Sequence, residues 1–413
     1  MSKDQTFVIV GASLAGASAA EELRKQGFEG RIVLVGRETE QPYIRPPLSK
    51  DYLAGKAGLA DVYVHPSDWY GEQHIELRLG ADVTSIDRAA QTVSVGDESL
   101  HYDKLLITTG SRPRVLQQNG EDIAGSVMPG VFYLRTLADS SMLATAIADG
   151  NKRVVLVGAG WIGLEVAATA RTLGNDVRVL EHGNVPLSSA LGAELGGYFA
   201  QLHEKNGVML ATSTDVQEIL AKDETVAGVR TRNNTVVPAD VVVVAVGAQP
   251  NVELAADAGL EVDNGILVDA SLTTSDPNIF AAGDVANAMH PVIGQRLRSE
   301  HWANALNQGP AAARSMLGQD VSFDDIPYFY TDQFDLGMEY SGYAPLAAHA
   351  KVVYRGDRDS GAFIAFWVAD GRVVAGMNVN VWDVNEDIQG IIRRANTVDV
   401  ARLADPDVPL GEL

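Results

Sequence analysis

The sequence predicts an α/β architecture: two repeated strand–turn–helix–strand units built on parallel sheets, followed by a smaller α+β domain. Three observations carry this. The stretch Arg153 to Glu181 runs from an apolar β-branched strand through Gly158, Gly160 and Gly163 into an amphipathic helix and a second apolar strand. Residues 6 to 38 repeat the order, with Gly11, Ser13 and Gly16 at the turn. Beyond Asp325 the helical periodicity gives way to short alternating runs rich in aromatic residues, which read as antiparallel strands. With 413 residues, each of two or three domains can bury a core of its own.

The Arg153–Glu181 unit is the more regular. Its first glycine allows the tight turn, Gly160 lets a pyrophosphate approach the backbone, and Gly163 packs helix on strand. The helix then begins around Ile162 with its unpaired N–H groups aimed at phosphate. Glu181, where the second strand ends, can accept both ribose hydroxyls and would repel a 2′-phosphate. The following H-G-N-V-P-L-S-S-A holds no arginine to clamp one, so the unit reads as an NAD(H) site.

In the first unit the strands are Thr6–Val10 and Arg31–Val35, with G-A-S-L-A-G between (Gly11, Ser13, Ala15, Gly16) and a helix to about Gln26. Ser13 stands where the second glycine is expected and is small enough for phosphate to approach. Arg37 occupies the first acid position, so Glu38 is the expected ribose acceptor. Two Rossmann-like units in one chain are what a hydride-transferring flavoprotein needs, one for FAD and one for NAD(H).

The segments between add candidates. In Q-P-Y-I-R-P-P-L-S-K, prolines 42, 46 and 47 stiffen a loop that holds Arg45 and Lys50 toward a flavin. The strand L-L-I-T-T-G ends on Thr109 and Gly110, and Y-L-R-T-L-A-D places Arg135 as a phosphate contact. A buried strand from Asp240 ends at Gly247, where backbone can approach the nicotinamide half. I-F-A-A-G-D ends on Gly283 and Asp284, a carboxylate placed for a ribityl hydroxyl. Glu300 to Gly318 reads as a helix broken at Gly309-Pro310, its N-terminus toward the pyrimidine end of the flavin; His301 there is read as structural, because hydride transfer needs no general base. The expected domains are 1–115 and 251–325 for FAD, 116–250 for NAD, and 326–413 for the α+β domain, ending in the amphipathic helix Asn385 to Arg394.

Composition excludes much. The absence of cysteine removes disulfides, thiolate metal sites and thiol redox cycles, and no metal site is expected. A net charge of −22 argues against nucleic acid or anionic membrane as partner. The longest apolar run, Val241 to Ala248, is far short of the ~20 residues of a membrane span. Because the N-terminus enters a strand at once, a soluble cytoplasmic protein is expected.

Over nearly its whole length the chain resembles the FAD-dependent, NADH-specific ferredoxin reductases of bacterial oxygenase and cytochrome P450 systems, which have a glutathione-reductase-like architecture. The matching motifs are V-G-A-S-L-A-G, R-P-P-L-S-K, L-L-I-T-T-G-S-R-P-R, L-R-T-L-A-D, V-G-A-G-W-I-G-L-E, A-V-G-A-Q-P-N, I-F-A-A-G-D and Y-T-D-Q-F-D. The resemblance implies a Lys50–Glu165 pair at the reactive edge of the flavin, further flavin contacts at Arg45, Val83, Arg135, Asp284 and Trp302, and a [2Fe-2S] ferredoxin as electron acceptor. Tyr330 stands where the family usually has tryptophan, so a tryptophan electron conduit is not available, although ring stacking is. An acidic ferredoxin would need a cationic patch on this acidic chain, with Arg296, Arg298, Arg314, Arg393 and Arg394 as candidates. Disulfide reductases and thiol-dependent NADH peroxidases share the two-unit plan, but their cysteines are absent here. A cysteine-free NADH oxidase or quinone-type reductase, and an NADH-switched binding protein like apoptosis-inducing factor, stay open at this point.

Overall fold

The structure, a computed structural model, describes residues 3–118, 121–123 and 128–413. These form two compact units. The first comprises residues up to Arg45, Gly58–Arg112 and Ala248–Asp325; the second comprises Pro46–Ala57, Pro113–Gly247 and Ile326–Leu413.

In the first unit, strand β1 (Thr6–Val10), helix α1 (Leu14–Lys25) and strand β2 (Arg31–Val35) follow one another as the apolar pattern predicts. A five-stranded parallel sheet is centred on β1, with β2 and Ile75–Arg78 on one side and Lys104–Ile107 and Ile279–Ala281 on the other. Apart from the edge strand Ile75–Arg78, its strands are buried along nearly their whole length, as parallel strands covered by helices must be. The helix Trp302–Met316 runs unbroken through Gly309-Pro310, contrary to the sequence expectation. Packing is the reason it holds: a Cβ at Gly309 would lie 2.3 Å from the Ala15 carbonyl of α1, so the bare glycine lets the helices touch, and that contact outweighs the amide bond Pro310 cannot make.

The second unit repeats the plan. Strand β3 (Arg153–Val157), helix α2 (Trp161–Thr172) and strand β4 (Asp176–Leu180) lie in a parallel sheet that β4 continues to Met209–Ala211; beyond β3 lie Val241–Val244 and Val131–Tyr133. The Val241 strand thus closes three residues before Gly247. From Tyr328 the expected strands form a five-stranded antiparallel sheet, opening with β5 (Tyr328–Gln333) and followed by the helix Asn385–Arg394. Among the described residues no helix is long and apolar enough to cross a membrane, and no cluster of side chains is arranged to hold a metal ion.

Candidate functional site

Each unit puts its glycine turn at the carboxyl end of its central strand, where open α/β sheets bind ligands. The amide of Gly11 donates to Val35 O and that of Gly158 to Leu180 O, both at 2.8 Å. Both glycines have positive φ, +124° and +100°. A Cβ would meet the Thr108 carbonyl at 2.1 Å in the first turn and the Ala245 carbonyl at 2.4 Å in the second. At the third position, a Cβ on Gly16 or Gly163 would lie 2.2 or 2.4 Å from the carbonyl of its own first glycine. Ser13 and Gly160 are the N-cap residues, and neither offers a side-chain bond to the free amides of its helix, which stay open to an anion. Ile162, in the first turn of α2, is exposed.

In the first unit Glu38 is turned inward: its carboxylate accepts from Tyr43 Oη at 2.5 Å and from Arg45 Nη2 at 3.2 Å. Arg37 is exposed and paired with Asp82. Burial pulls the Arg45 guanidinium down, but Tyr43, Glu38 and Asp284 outweigh it and keep the group firmly cationic. Asp284 is buried and accepts from Ser111 Oγ at 2.8 Å; Gly283 before it, at φ +78°, donates its amide to the buried Gln308 side chain at 2.9 Å. Thr109 and Gly110 are tied to Asn251 by three bonds of 2.7–3.0 Å. Ala15 is buried under the Trp302 helix, whose first residue is half-buried Trp302. His301, at its N-cap, is held by burial down to about 4, against the opposing pull of Asp284, and is neutral at pH 7. Val83 begins an antiparallel strand and packs on the hydrophobic core.

In the second unit Glu181 closes the glycine turn: its two oxygens accept from the amides of Ala159 and Gly183, each at 2.6 Å. Gly247, at φ +99°, accepts from the Arg114 amide at 2.9 Å. Arg135 is half-buried, and its amide donates to Asp139, which caps the following helix.

The sharpest cluster also lies in this unit. Lys50 Nζ stands 3.5 Å from Glu165 Oε1, 3.7 Å from Asp332 Oδ2 and 4.4 Å from the centre of the Tyr330 ring. Glu165, 7% exposed on α2, also accepts from Ser49 Oγ at 2.5 Å and Thr331 Oγ1 at 2.6 Å. Burial raises the Tyr330 phenol and keeps it neutral, despite the opposing charge of Lys50. Lys50 is thus a half-buried cation over an aromatic face, balanced by one buried and one exposed carboxylate. Ser49 and Thr331 were present in the motifs P-P-L-S-K and Y-T-D-Q, but sequence reasoning gave them no role; Gln308 carried no signal at all.

Two family models match the chain: pyridine nucleotide-disulphide oxidoreductase over residues 5–309, and Reductase C-terminal over residues 328–413. The chain belongs to the pyridine nucleotide-disulphide oxidoreductase family. With no cysteine, this member lacks the disulphide of the family's name. It is 42% identical to the ferredoxin–NAD(+) reductase component of the anthranilate 1,2-dioxygenase system of Burkholderia cepacia, over 98% of each chain. It is 40% identical to rhodocoxin reductase of Rhodococcus erythropolis, over 91% of this chain and 86% of the relative. Among solved structures it matches that of the covalent putidaredoxin reductase–putidaredoxin complex with a TM-score of 0.94 at 36% identity, covering 100% of this chain and 98% of that one.

The arginines considered for docking are mostly occupied. Arg296 donates to the carbonyls of Val268 and Asn287, Arg298 to Glu300, and Arg314 to Glu22. Arg393 and Arg394 are exposed; Arg393 donates to Gln389 Oε1 and Arg394 to the Leu413 carbonyl.

Proposed function

We propose that the protein is an FAD-dependent NADH:ferredoxin reductase that passes electrons, one at a time, to a [2Fe-2S] ferredoxin serving an oxygenase or cytochrome P450. The observation that carries the reading is the pair of Lys50 with the buried Glu165 beside Tyr330, in a chain with two dinucleotide turns and no cysteine.

The first unit fits FAD. Its turn leaves helix amides open to a pyrophosphate, Glu38 offers a carboxylate for ribose, and Asp284, held by Ser111, offers a buried acceptor for a ribityl hydroxyl. Val83, Trp302, Thr109, Gly110 and Gly283 would complete that site. The second unit fits NADH through Gly158, Gly160, Ile162, Gly163, Glu181 and Gly247. A bound flavin would supply the chemistry that joins a two-electron hydride donor to one-electron iron–sulfur acceptors. Lys50 supplies a fixed positive charge for the negative charge that reduction creates, without reorganisation at the moment of transfer. Glu165 holds the Lys50 ammonium, and Ser49 and Thr331 hold Glu165. A cytoplasmic location, where NADH is supplied, belongs to the same reading.

The test is NADH-dependent cytochrome c reduction with and without a panel of [2Fe-2S] ferredoxins. Dependence on a ferredoxin is expected. Fast NADH oxidation with oxygen or quinone alone would make the protein an oxidase or quinone-type reductase, and slow reoxidation with every ferredoxin would make it an NADH-switched binding protein. Lys50→Met should slow anaerobic flavin reduction by NADH roughly tenfold or more; an unchanged rate removes Lys50 from the mechanism.

A further inference from the structure

The Thr331 hydroxyl that holds Glu165 is one link of a longer buried chain. Gln333 Nε2 lies 3.1 Å from Thr331 Oγ1, and Gln333 Oε1 lies 2.8 Å from Nε2 of His203, which is 0% exposed. Donor directions follow by elimination from what each group can give. An ionised carboxylate has no proton, so at 2.6 Å Thr331 must donate to Glu165. With its one proton committed, Thr331 can only accept from Gln333, so the amide nitrogen faces Thr331 and the amide oxygen faces His203. That oxygen can only accept, so His203 carries its proton on Nε2 and leaves Nδ1 bare. Nδ1 is buried with no hydrogen-bond partner among the described residues. Burial also lowers the pKa of the imidazole, against the opposing Gln333 bond, which favours the neutral ring.

We infer that His203 is a positioning residue: through Gln333 it fixes the direction of the Thr331 hydroxyl, and so holds Glu165 in the rotamer that faces Lys50. The wire has a reciprocal property. Were Glu165 protonated, every bond could reverse, with Thr331 donating to Gln333, the amide donating to His203 Nε2, and the ring proton on Nδ1. The tautomer of a buried histidine thus reports the charge of the carboxylate paired with Lys50. The inference deepens the proposed function and rests on it for its NAD⁺ readout alone.

The test uses the FAD-loaded protein with ¹⁵N-labelled histidine. The His203 ring is expected as the pure Nε2–H tautomer, and E165Q, whose amide can both give and accept, should populate the Nδ1–H form as well. Thr331→Val should weaken NAD⁺ binding, followed through the flavin absorbance, about tenfold, and Thr331→Ser should restore it. If T331V does not fold, Gln333→Met, which cannot donate to Thr331, replaces it with the same expectation. An Nδ1–H ring in the wild type, wild-type NAD⁺ affinity in T331V, or failure of T331S to restore it would each overturn the inference. A protein that binds neither FAD nor NAD⁺ would instead overturn the functional reading, while the tautomer of E165Q would still test the wire.

Discussion

The two glycine turns agree where the fold needs them to and differ where only a ligand is concerned. At the first and third positions both have glycine, and in both a Cβ would strike a carbonyl at 2.1–2.4 Å. At the second position one has Ser13 and the other Gly160, and a Cβ on Gly160 would meet no protein atom within 4 Å. The outer glycines are therefore demanded by strand–helix packing, while the middle one answers to whatever approaches from outside. The acids differ likewise. Glu181 follows its strand directly and binds the amides of its own turn. Glu38 comes three residues after its strand and is held by Tyr43 and Arg45.

The largest effect that could break this comparison is on folding. Gly11→Ala puts a Cβ 2.1 Å from the Thr108 carbonyl at φ +124°, and should cost about 3 kcal/mol or more. Gly160→Ala, at φ −78° in open space, should change stability by under about 0.5 kcal/mol while weakening NADH binding. Denaturant melts of the two variants check this; equal destabilisation would mean that the middle glycine is structural as well.

Much of this was legible in the sequence because it is local. A β-branched run, a glycine turn and an amphipathic helix specify β3, α2 and β4 from their own periodicity, and the alternation beyond Tyr328 gave the antiparallel strands. What was missed depends on tertiary contact. The helix through Gly309-Pro310 is continuous because α1 packs where Gly309 has no side chain, which no local rule about proline contains. His203 and Gln308 act on residues 130 and 25 positions away, and nothing around either marks it out. Ser49 and Thr331 were in view as letters of motifs, but that both donate to one carboxylate appears only when Pro46–Ala57 and β5 meet α2.

A medium-sized effect should separate the two acids. Glu181→Gln keeps one acceptor for the turn amides but sets an NH₂ against the other, and should weaken NADH binding about tenfold while FAD stays bound. Glu38→Gln, which takes the negative charge from Arg45, should show the reverse, with FAD lost on gel filtration and NADH affinity unchanged in the protein that retains it. If both variants lost FAD alike, the division of labour between the turns would be wrong.

The smallest effect is a pH dependence carried by the first unit. His301 has a folded-state pKa of about 4, below the ordinary 6.5, because burial disfavours its charged form. Below pH 6.5 the unfolded chain therefore binds a proton that the folded chain refuses. This contribution to stability is complete above about pH 6.5 and is lost as the pH falls toward 4, amounting to about 2 kcal/mol by pH 5. His301→Asn should flatten the fall in melting temperature between pH 7 and 5 by roughly 1–3 °C. His65 in the first unit and His203 in the second are shifted in the same direction and stay in this variant, so they would carry acid sensitivity that remains. An unchanged slope in H301N would move the whole of that sensitivity away from His301.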